Sequence, residues 1–213
     1  MITDKLKDRL IEMLVEHSRI MYAIMSDMGV FYVAWAENSN YDKDILEKKA
    51  TNLKFDIEEA ASIKNQAIKD FSEVITLGSG DWVILMQKMD GLSNLALKFI
   101  ELLMYIELKN VDSEMKRMYH KSINEILEMA KLLEESIKLL RENRSNVIFN
   151  INKIHELGNS TDKIVHQFLH YIYKDKELEI RNLLIIRDSI ITLEKFVEKI
   201  NHLAEIIRVL HYE

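Results

Sequence analysis

The segment spanning residues 85–106 reads LMQKMDGLSNLALKFIELLMYI and places an apolar residue at alternating steps of four and three. The series consists of Leu85, Met89, Leu92, Ala96, Phe99, Leu103 and Ile106. Such spacing aligns the apolar side chains in one narrow stripe along a helix, as in bundles whose helices cross near about +20°. The segment is therefore predicted to be a bundle helix with one buried face.

The same spacing recurs near both ends of the chain. In the first segment it runs through Leu10, Leu14, His17, Met21, Ile24, Met28, Phe31 and Trp35, and in the last through Ile186, Ile190, Leu193, Val197, Ile200, Ala204 and Ile207. No segment shows the sustained alternation of a strand. The 213 residues include no proline and only five glycines, which favours long, uninterrupted helices. The sequence predicts an all-α protein.

Short polar or glycine-containing stretches separate the periodic segments. The clearest is Gly78-Ser79-Gly80-Asp81, in which two glycines precede an aspartate suited to capping a helix N-terminus. Further breaks are predicted at Asn38-Ser39-Asn40, at residues 110–113, at residues 143–146 and at Lys174-Asp175. Six helices follow, roughly over residues 3–37, 42–76, 81–109, 113–143, 146–173 and 177–212.

Pairs of polar or small residues four positions apart recur in the two halves of the chain. They are Asn52-x3-Asp56 and Gly158-x3-Asp162, 106 residues apart, and Asp90-x3-Asn94 and Glu194-x3-Glu198, 104 residues apart. Each pair lies on one face of its helix. The repeat predicts two consecutive three-helix bundles related by a pseudo-twofold axis, over residues 1–110 and 111–213.

The second half offers the richer set of candidate metal ligands. Asp162 on the fifth helix would meet Glu194 and Glu198 on the sixth, and the histidines His155, His166 and His202 extend the same two faces. An oxygen-rich cage of this kind suits a divalent cation, either magnesium or a transition metal such as iron, zinc or nickel. The alternative is a solvated acidic face paired with lysines that holds no metal.

The corresponding set in the first half is Asn52, Asp56, Asp90 and Asn94, of which only the aspartates are charged. These residues are either weaker metal ligands or a hydrogen-bonded polar pair at a helix crossing. The candidate metal ligands in the whole chain are Asp56, Asp90, Asp162, Glu194, Glu198 and His202.

Three further features allow two interpretations each. Gly91 and Gly158 interrupt helices at a cost of about 1 kcal/mol, which indicates either close helix approach or a tolerant position. His17 lies in the apolar seam of the first helix, where a hydrogen-bonded core histidine is more common than a ligand. The apolar residues 28–36 are either buried or a contact for a partner.

Several classes of function are disfavoured by the sequence. The chain has no cysteine, so it has neither disulfides nor thiolate metal sites, and its net charge of -6 argues against nucleic-acid binding. No signal peptide or apolar span of membrane length is present, which predicts a cytoplasmic protein. There is no Glu-x-x-His pair, phosphate-binding glycine loop or Gly-x-Ser-x-Gly elbow, so no enzymatic activity is expected.

The paired polar residues on the second and third helices of each half resemble those of the PhoU-like family, specifically its shorter branch of phosphate transport regulators. The most similar stretches are Phe71–Asn94 and Ile154–Ile207, including Ile154-His155-Glu156-Leu157 before Asp162 and Leu193-Glu194 before Glu198. The resemblance implies two three-helix bundles, and a metal cluster held by a Glu/Asp-x3-Asp motif on two helices of each bundle. This chain departs from that motif: it has Asn52 and Gly158 at leading positions, and Asn94 and Glu198 at trailing ones.

The resemblance also implies a role. Proteins of this family act in the cytoplasm as negative or modulatory partners of phosphate uptake, beside importers, their sensor kinases or phosphate permeases, and make or break no bond. We therefore expect a homo-oligomeric regulator that contacts a phosphate permease or importer components and approaches the membrane only through a protein partner. The alternatives are a metal-dependent helical enzyme that uses Asp162, Glu194, Glu198 and His202, and a helical scaffold without a ligand.

Overall fold

The computed structural model describes residues 2–37, 43–72, 80–142 and 146–212, which form six α-helices and one short 3-10 helix. The α-helices are α1 (Ile2–Glu37), α2 (Lys43–Ser72), α3 (Gly80–Tyr105), α4 (Ser113–Glu142), α5 (Val147–Lys174) and α6 (Ile180–Tyr212), and the 3-10 helix spans Leu108–Asn110. No strand occurs in these ranges. The all-α prediction and the helix count are confirmed for them. The predicted breaks at 38–40, 78–79 and 143–145 lie outside the described residues.

Two helix boundaries differ from the predicted ones. The helix predicted over 81–109 ends at Tyr105, where Ile106 donates its N–H to the carbonyl of Leu103 (3.1 Å) and closes the last turn tightly. Residues 107–109 have good helix propensity, yet the chain leaves α3 here, and Ile106 and Val111 on either side of the 3-10 helix are buried. The sixth helix begins at Ile180 rather than at residue 177.

A side-chain cap starts α4 after this connection. Asp112 accepts a hydrogen bond from the backbone N–H of Met115 (2.8 Å) through Oδ1. The bond satisfies one of the donors that the first turn of every helix leaves unpaired. The predicted polar break at 110–113 therefore has a definite structural role.

The three predicted seams form the centre of the core. Every residue of the three series is buried, with an exposure of 4% or less. The series lie on α1, on α6, and on α3 together with Ile106, which directly follows it. Apart from His17, their residues belong to one continuous cluster of buried apolar side chains that includes residues of all six helices. The alternating four–three spacing thus predicted the buried face of these helices correctly.

The helices pack in a pattern that is symmetric under exchange of the two halves. Helices α1–α3, the first group, contact one another, and so do α4–α6, the second group. Across the groups, α1 packs on α4 and α3 packs on α6, which leaves α2 and α5 on opposite flanks. Exchanging α1 with α4, α2 with α5 and α3 with α6 maps each contact within one group onto a contact within the other, and maps the two contacts across the groups onto themselves. The pattern agrees with the predicted pseudo-twofold repeat, and the domain boundary at 110/111 remains a prediction.

The apolar end of α1 is buried at the interface between the groups. Phe31, Tyr32 and Trp35 are 2% exposed or less, and Tyr32 donates its hydroxyl to the carbonyl of Lys116 on α4 (2.8 Å). The Trp35 and Tyr119 rings meet edge to face with centroids 6.3 Å apart. Of the two interpretations of this segment, burial is confirmed for these three residues. Within the described residues, none of the helices is both long and apolar enough to cross a bilayer.

Candidate functional site

The second group brings two of its predicted acids within electrostatic reach. Asp162 on α5 is partly buried, and Glu198 on α6 is exposed. Burial raises the pKa of the Asp162 carboxyl, and the charge of Glu198 raises it further, against the lowering effect of His166. Glu194 is partly buried and His202 is exposed on the same helix as Glu198. The charge of Glu198 on α6 thus acts on Asp162 on α5, and the predicted meeting of these acids with Glu194 at a metal site stays a prediction.

The histidines near these acids make different contacts. His155 on α5 pairs through Nε2 with Glu205 Oε1 on α6 (2.6 Å), rather than with Asp162. Glu205 also lies 3.4 Å from the Nε of Arg208. These groups are at least one-third exposed, so the network is a solvated link between α5 and α6.

Gly158 lies where α5 packs closely against side chains of α6. A methyl group built on its Cα would stand 2.8 Å from Asn201 Nδ2 and 3.2 Å from Val197 Cγ1. Close approach was one of two interpretations of this glycine, and it is confirmed. The acid expected here from the family motif would therefore have to displace the side chains of Asn201 and Val197.

The first group uses its best-placed acid for an internal contact. Asp90 on α3 accepts a hydrogen bond from His17 Nε2 on α1, with 3.0 Å between Nε2 and Oδ1. Its other oxygen, Oδ2, pairs with the ammonium of Lys64 on α2. One carboxylate therefore joins side chains from all three helices of the group.

The surroundings of this cluster are largely closed to solvent. His17 is fully buried, and the side chains of Lys64 and Asp90 are 21% and 20% exposed. Burial by itself raises the pKa of Asp90, but the hydrogen bonds from His17 and Lys64 outweigh it and hold that pKa below its ordinary value. The interpretation of His17 as a hydrogen-bonded core residue is confirmed.

The remaining candidates of the first group lie apart from this contact. Asp56 is partly buried, whereas the side chains of Asn52 and Asn94 are exposed. Gly91 follows Asp90 and faces α6, where its missing side chain leaves room for Lys199; an added methyl would lie 2.6 Å from Lys199 Cε. At Gly91 the packed atoms are those of the Lys199 side chain, and close approach of the helices themselves stays a prediction.

The arrangement does not fit a metal cluster of the kind that the family resemblance implies. In the described ranges, no three side chains of histidine, aspartate or glutamate are placed to hold a metal ion together. Both oxygens of Asp90 already have hydrogen-bonding partners within the protein. Metal binding at Asp162, Glu194, Glu198 and His202 therefore stays a prediction.

Sequence reasoning missed Lys64 and Glu125. Glu125 on α4 accepts hydrogen bonds from Ser160 (3.0 Å) and Thr161 (2.8 Å), which fix α5 against α4. A lysine or glutamate within a helix is usually solvated, so neither residue carries a distinctive pattern. The one available signal was position: Lys64 lies eight residues after Asp56, two turns along α2.

Comparison with known proteins identifies the fold. No family model matches the chain, and no curated protein sequence matches it. The crystal structure of a candidate PhoU-like phosphate regulatory protein from Shewanella oneidensis MR-1 superposes with a TM-score of 0.77 at 15% identity, over 94% of this chain and 98% of its own. The structure of a PhoU-like protein from the same organism gives a TM-score of 0.80 at 14% identity, over 95% and 99%. The chain therefore has the PhoU-like helical fold over nearly its whole length.

Proposed function

We propose that this chain, which has the PhoU-like fold, is a non-enzymatic cytoplasmic regulator of inorganic phosphate uptake. The observation that carries the proposal is the near-complete overlap with a candidate PhoU-like phosphate regulatory protein, which covers 98% of that protein's length. The match extends over 94% of this chain, so the likeness is not limited to one of its two groups of helices. Because one fold can serve several functions, the proposal needs a test in the cell and a test of the surface.

The proposed mechanism is contact with a phosphate permease, a phosphate importer or its signalling partner. Such contact needs a stable folded surface, and the continuous core across both groups provides one. The α5–α6 face is the part of that surface we assign to the contact, because Glu198 and His202 are exposed there and Glu194 is partly so. Exposed carboxylates on one face favour a partner surface of opposite charge.

Deletion of the gene tests the role in uptake. We expect the rate of labelled phosphate uptake to change in the deletion strain, in phosphate-rich or phosphate-starved growth, and to return to the parental rate when the intact gene is restored. Unchanged uptake under both growth conditions would contradict the proposal. Affinity purification of the chain from solubilised membranes should recover a phosphate permease or an importer component.

Complementation with an altered α5–α6 face tests the contact surface. A Glu194→Ala, Glu198→Ala double variant should fold normally but restore uptake only in part, since both side chains lie at the surface or partly so. The matched control is Glu114→Ala and Glu128→Ala on α4, which also removes two acids without touching this face. Equal restoration by both double variants would argue for a scaffold that does not use the face.

Metal content separates regulation from the enzyme alternative. The observation that supports a metal site is the effect of the negative charge of Glu198, which raises the pKa of Asp162. Protein purified without chelator should be analysed for transition metals and magnesium. Clearly substoichiometric metal would remove the metal-dependent enzyme, whereas one equivalent that disappears in the Glu194→Ala, Glu198→Ala variant would place the metal at the α5–α6 face.

A further inference from the structure

Few of the described side chains of α2 are both apolar and fully buried. They are Ala50, Leu53, Ala60 and Ala67, and Ile57 and Ile63 pack against the core while partly buried. These side chains bury less apolar area than the fully buried seams of α1, α3 and α6. A polar contact to α2 therefore contributes a larger share of its attachment than it would elsewhere in the protein.

Lys64 provides that contact at the acid where the family motif would place a metal ligand. Its ammonium pairs with Asp90 Oδ2 while His17 donates to Oδ1, so cation, carboxylate and imidazole come from α2, α3 and α1. The carboxylate and ammonium together carry no net charge. A divalent cation needs several oxygen ligands with an excess of negative charge, and this cluster has neither.

A second lysine adds positive charge beside the next residue of α3. The side chain of Lys199 on α6 crosses Gly91, the residue after Asp90, and a methyl there would lie 2.9 Å from its Cδ. Two ammonium groups beside one short stretch of α3 would repel a divalent cation. The space that Gly91 leaves open is thus filled by a cationic side chain.

We propose that Lys64 is a built-in cation that takes the place of a metal ion at Asp90 and fixes α2 to α1 and α3, so that the first group is metal-independent. The inference goes beyond the proposed function and does not depend on it, because it concerns only contacts within α1–α3. It predicts that stability in this half depends on Lys64 and is indifferent to metal ions.

A double-mutant cycle on the full chain tests the pairing. In chelator at pH 7, Lys64→Met and Asp90→Asn should each lower Tm by about 5 °C, and the double variant by about the same amount rather than by the sum. Lys54→Met, an exposed lysine on the same helix, is the control and should leave Tm unchanged. In Lys64→Met, amide hydrogen exchange in α2 should be faster than in the wild type, whereas exchange in α5 should be unchanged. Strictly additive effects of the two variants would overturn the pairing.

Manganese addition tests metal independence in the same proteins. Wild type and Asp90→Asn should respond equally to Mn²⁺, since any metal bound elsewhere is unaffected by Asp90. A rise of Tm with Mn²⁺ that occurs in wild type and is lost in Asp90→Asn would overturn the proposal, because Asp90 would then be a metal ligand. If Lys64→Met proves too unstable to purify, Lys64→Arg, which keeps the positive charge, should remain folded and equally indifferent to Mn²⁺.

Discussion

Each group of helices has a partly buried aspartate, and the surroundings of the two aspartates are opposite in charge. In the first, Asp90 is enclosed and paired with Lys64 and His17. In the second, Asp162 lies near Glu198, a residue of like charge, and its nearby histidine His166 is exposed. The pKa of Asp90 is lowered, whereas that of Asp162 is raised.

This contrast indicates that the acids of the two halves have different roles. An acid that is satisfied within the protein contributes to stability and is closed to ligands. An acid whose charge is unfavourable in the folded state costs stability and gains from any cation or basic partner that approaches. The first group is thus built for internal cohesion, and the α5–α6 face of the second is the one suited to recognition.

The largest expected difference in stability between the two groups is seen when one histidine is removed from each. His17→Ala should lower the free energy of unfolding by about 3 kcal/mol, because it leaves a cavity in the core and removes a hydrogen bond to a charged group. His155→Ala should lower it by less than about 0.5 kcal/mol, since its pairing with Glu205 is largely exposed. Urea unfolding of both variants measures the difference. Equal losses would remove the contrast between a closed and an open site.

Neutralising one aspartate in each group should change stability in opposite directions at pH 7. Asp90→Asn should cost about 2 kcal/mol, because an amide cannot replace the charged acceptor for Lys64. Asp162→Asn should stabilise the protein, because the ionised form of Asp162 is disfavoured by burial and by Glu198. A loss of stability in Asp162→Asn would show that its charge has a favourable partner.

The pH dependence of stability in the same variants tests the opposite directions of the two pKa shifts. A lowered pKa means that the contribution of Asp90 is present above its unfolded value, taken as 3.8, and is lost as the pH falls through the folded pKa. The raised pKa of Asp162 has the reverse effect: its contribution is present below 3.8 and is lost as the pH rises through the folded pKa. The stability gap between wild type and Asp90→Asn should therefore shrink in acid, while the advantage of Asp162→Asn should disappear there. A gap that is constant with pH for both variants would contradict both directions.

Features that follow from periodicity, such as which face of a helix is buried, could be predicted from the sequence. Contacts that depend on how the helices are rotated and shifted against each other could not. Burial of the seams needed only the four–three spacing, and close approach at Gly158 needed only the cost of a mid-helix glycine. The contact between Lys64 and Asp90 requires α2 and α3 to be aligned along their axes within one turn, which no local pattern specifies. The same uncertainty applies to the predicted metal ligands, of which the structure brings Asp162 and Glu198 into mutual influence. The early end of α3 at Tyr105 was missed because residues 106–109 contain neither glycine nor proline to mark it.

The smallest expected effect distinguishes the two mid-helix glycines. Replacing glycine by alanine within a helix gains about 1 kcal/mol unless the methyl group meets an obstacle. At Gly91 the obstacle is the flexible end of Lys199, which can turn into solvent, so Gly91→Ala should raise the free energy of unfolding by up to about 1 kcal/mol. At Gly158 the methyl would press on Asn201 and on the buried Val197, which is short and branched and has no flexible end to move, so the gain should be cancelled or reversed. Thermal unfolding of the two variants should therefore rank Gly91→Ala above wild type and Gly158→Ala at or below it. The reverse ranking would mean that Lys199 is held firmly against α3 and that the α5–α6 contact is the more adaptable of the two.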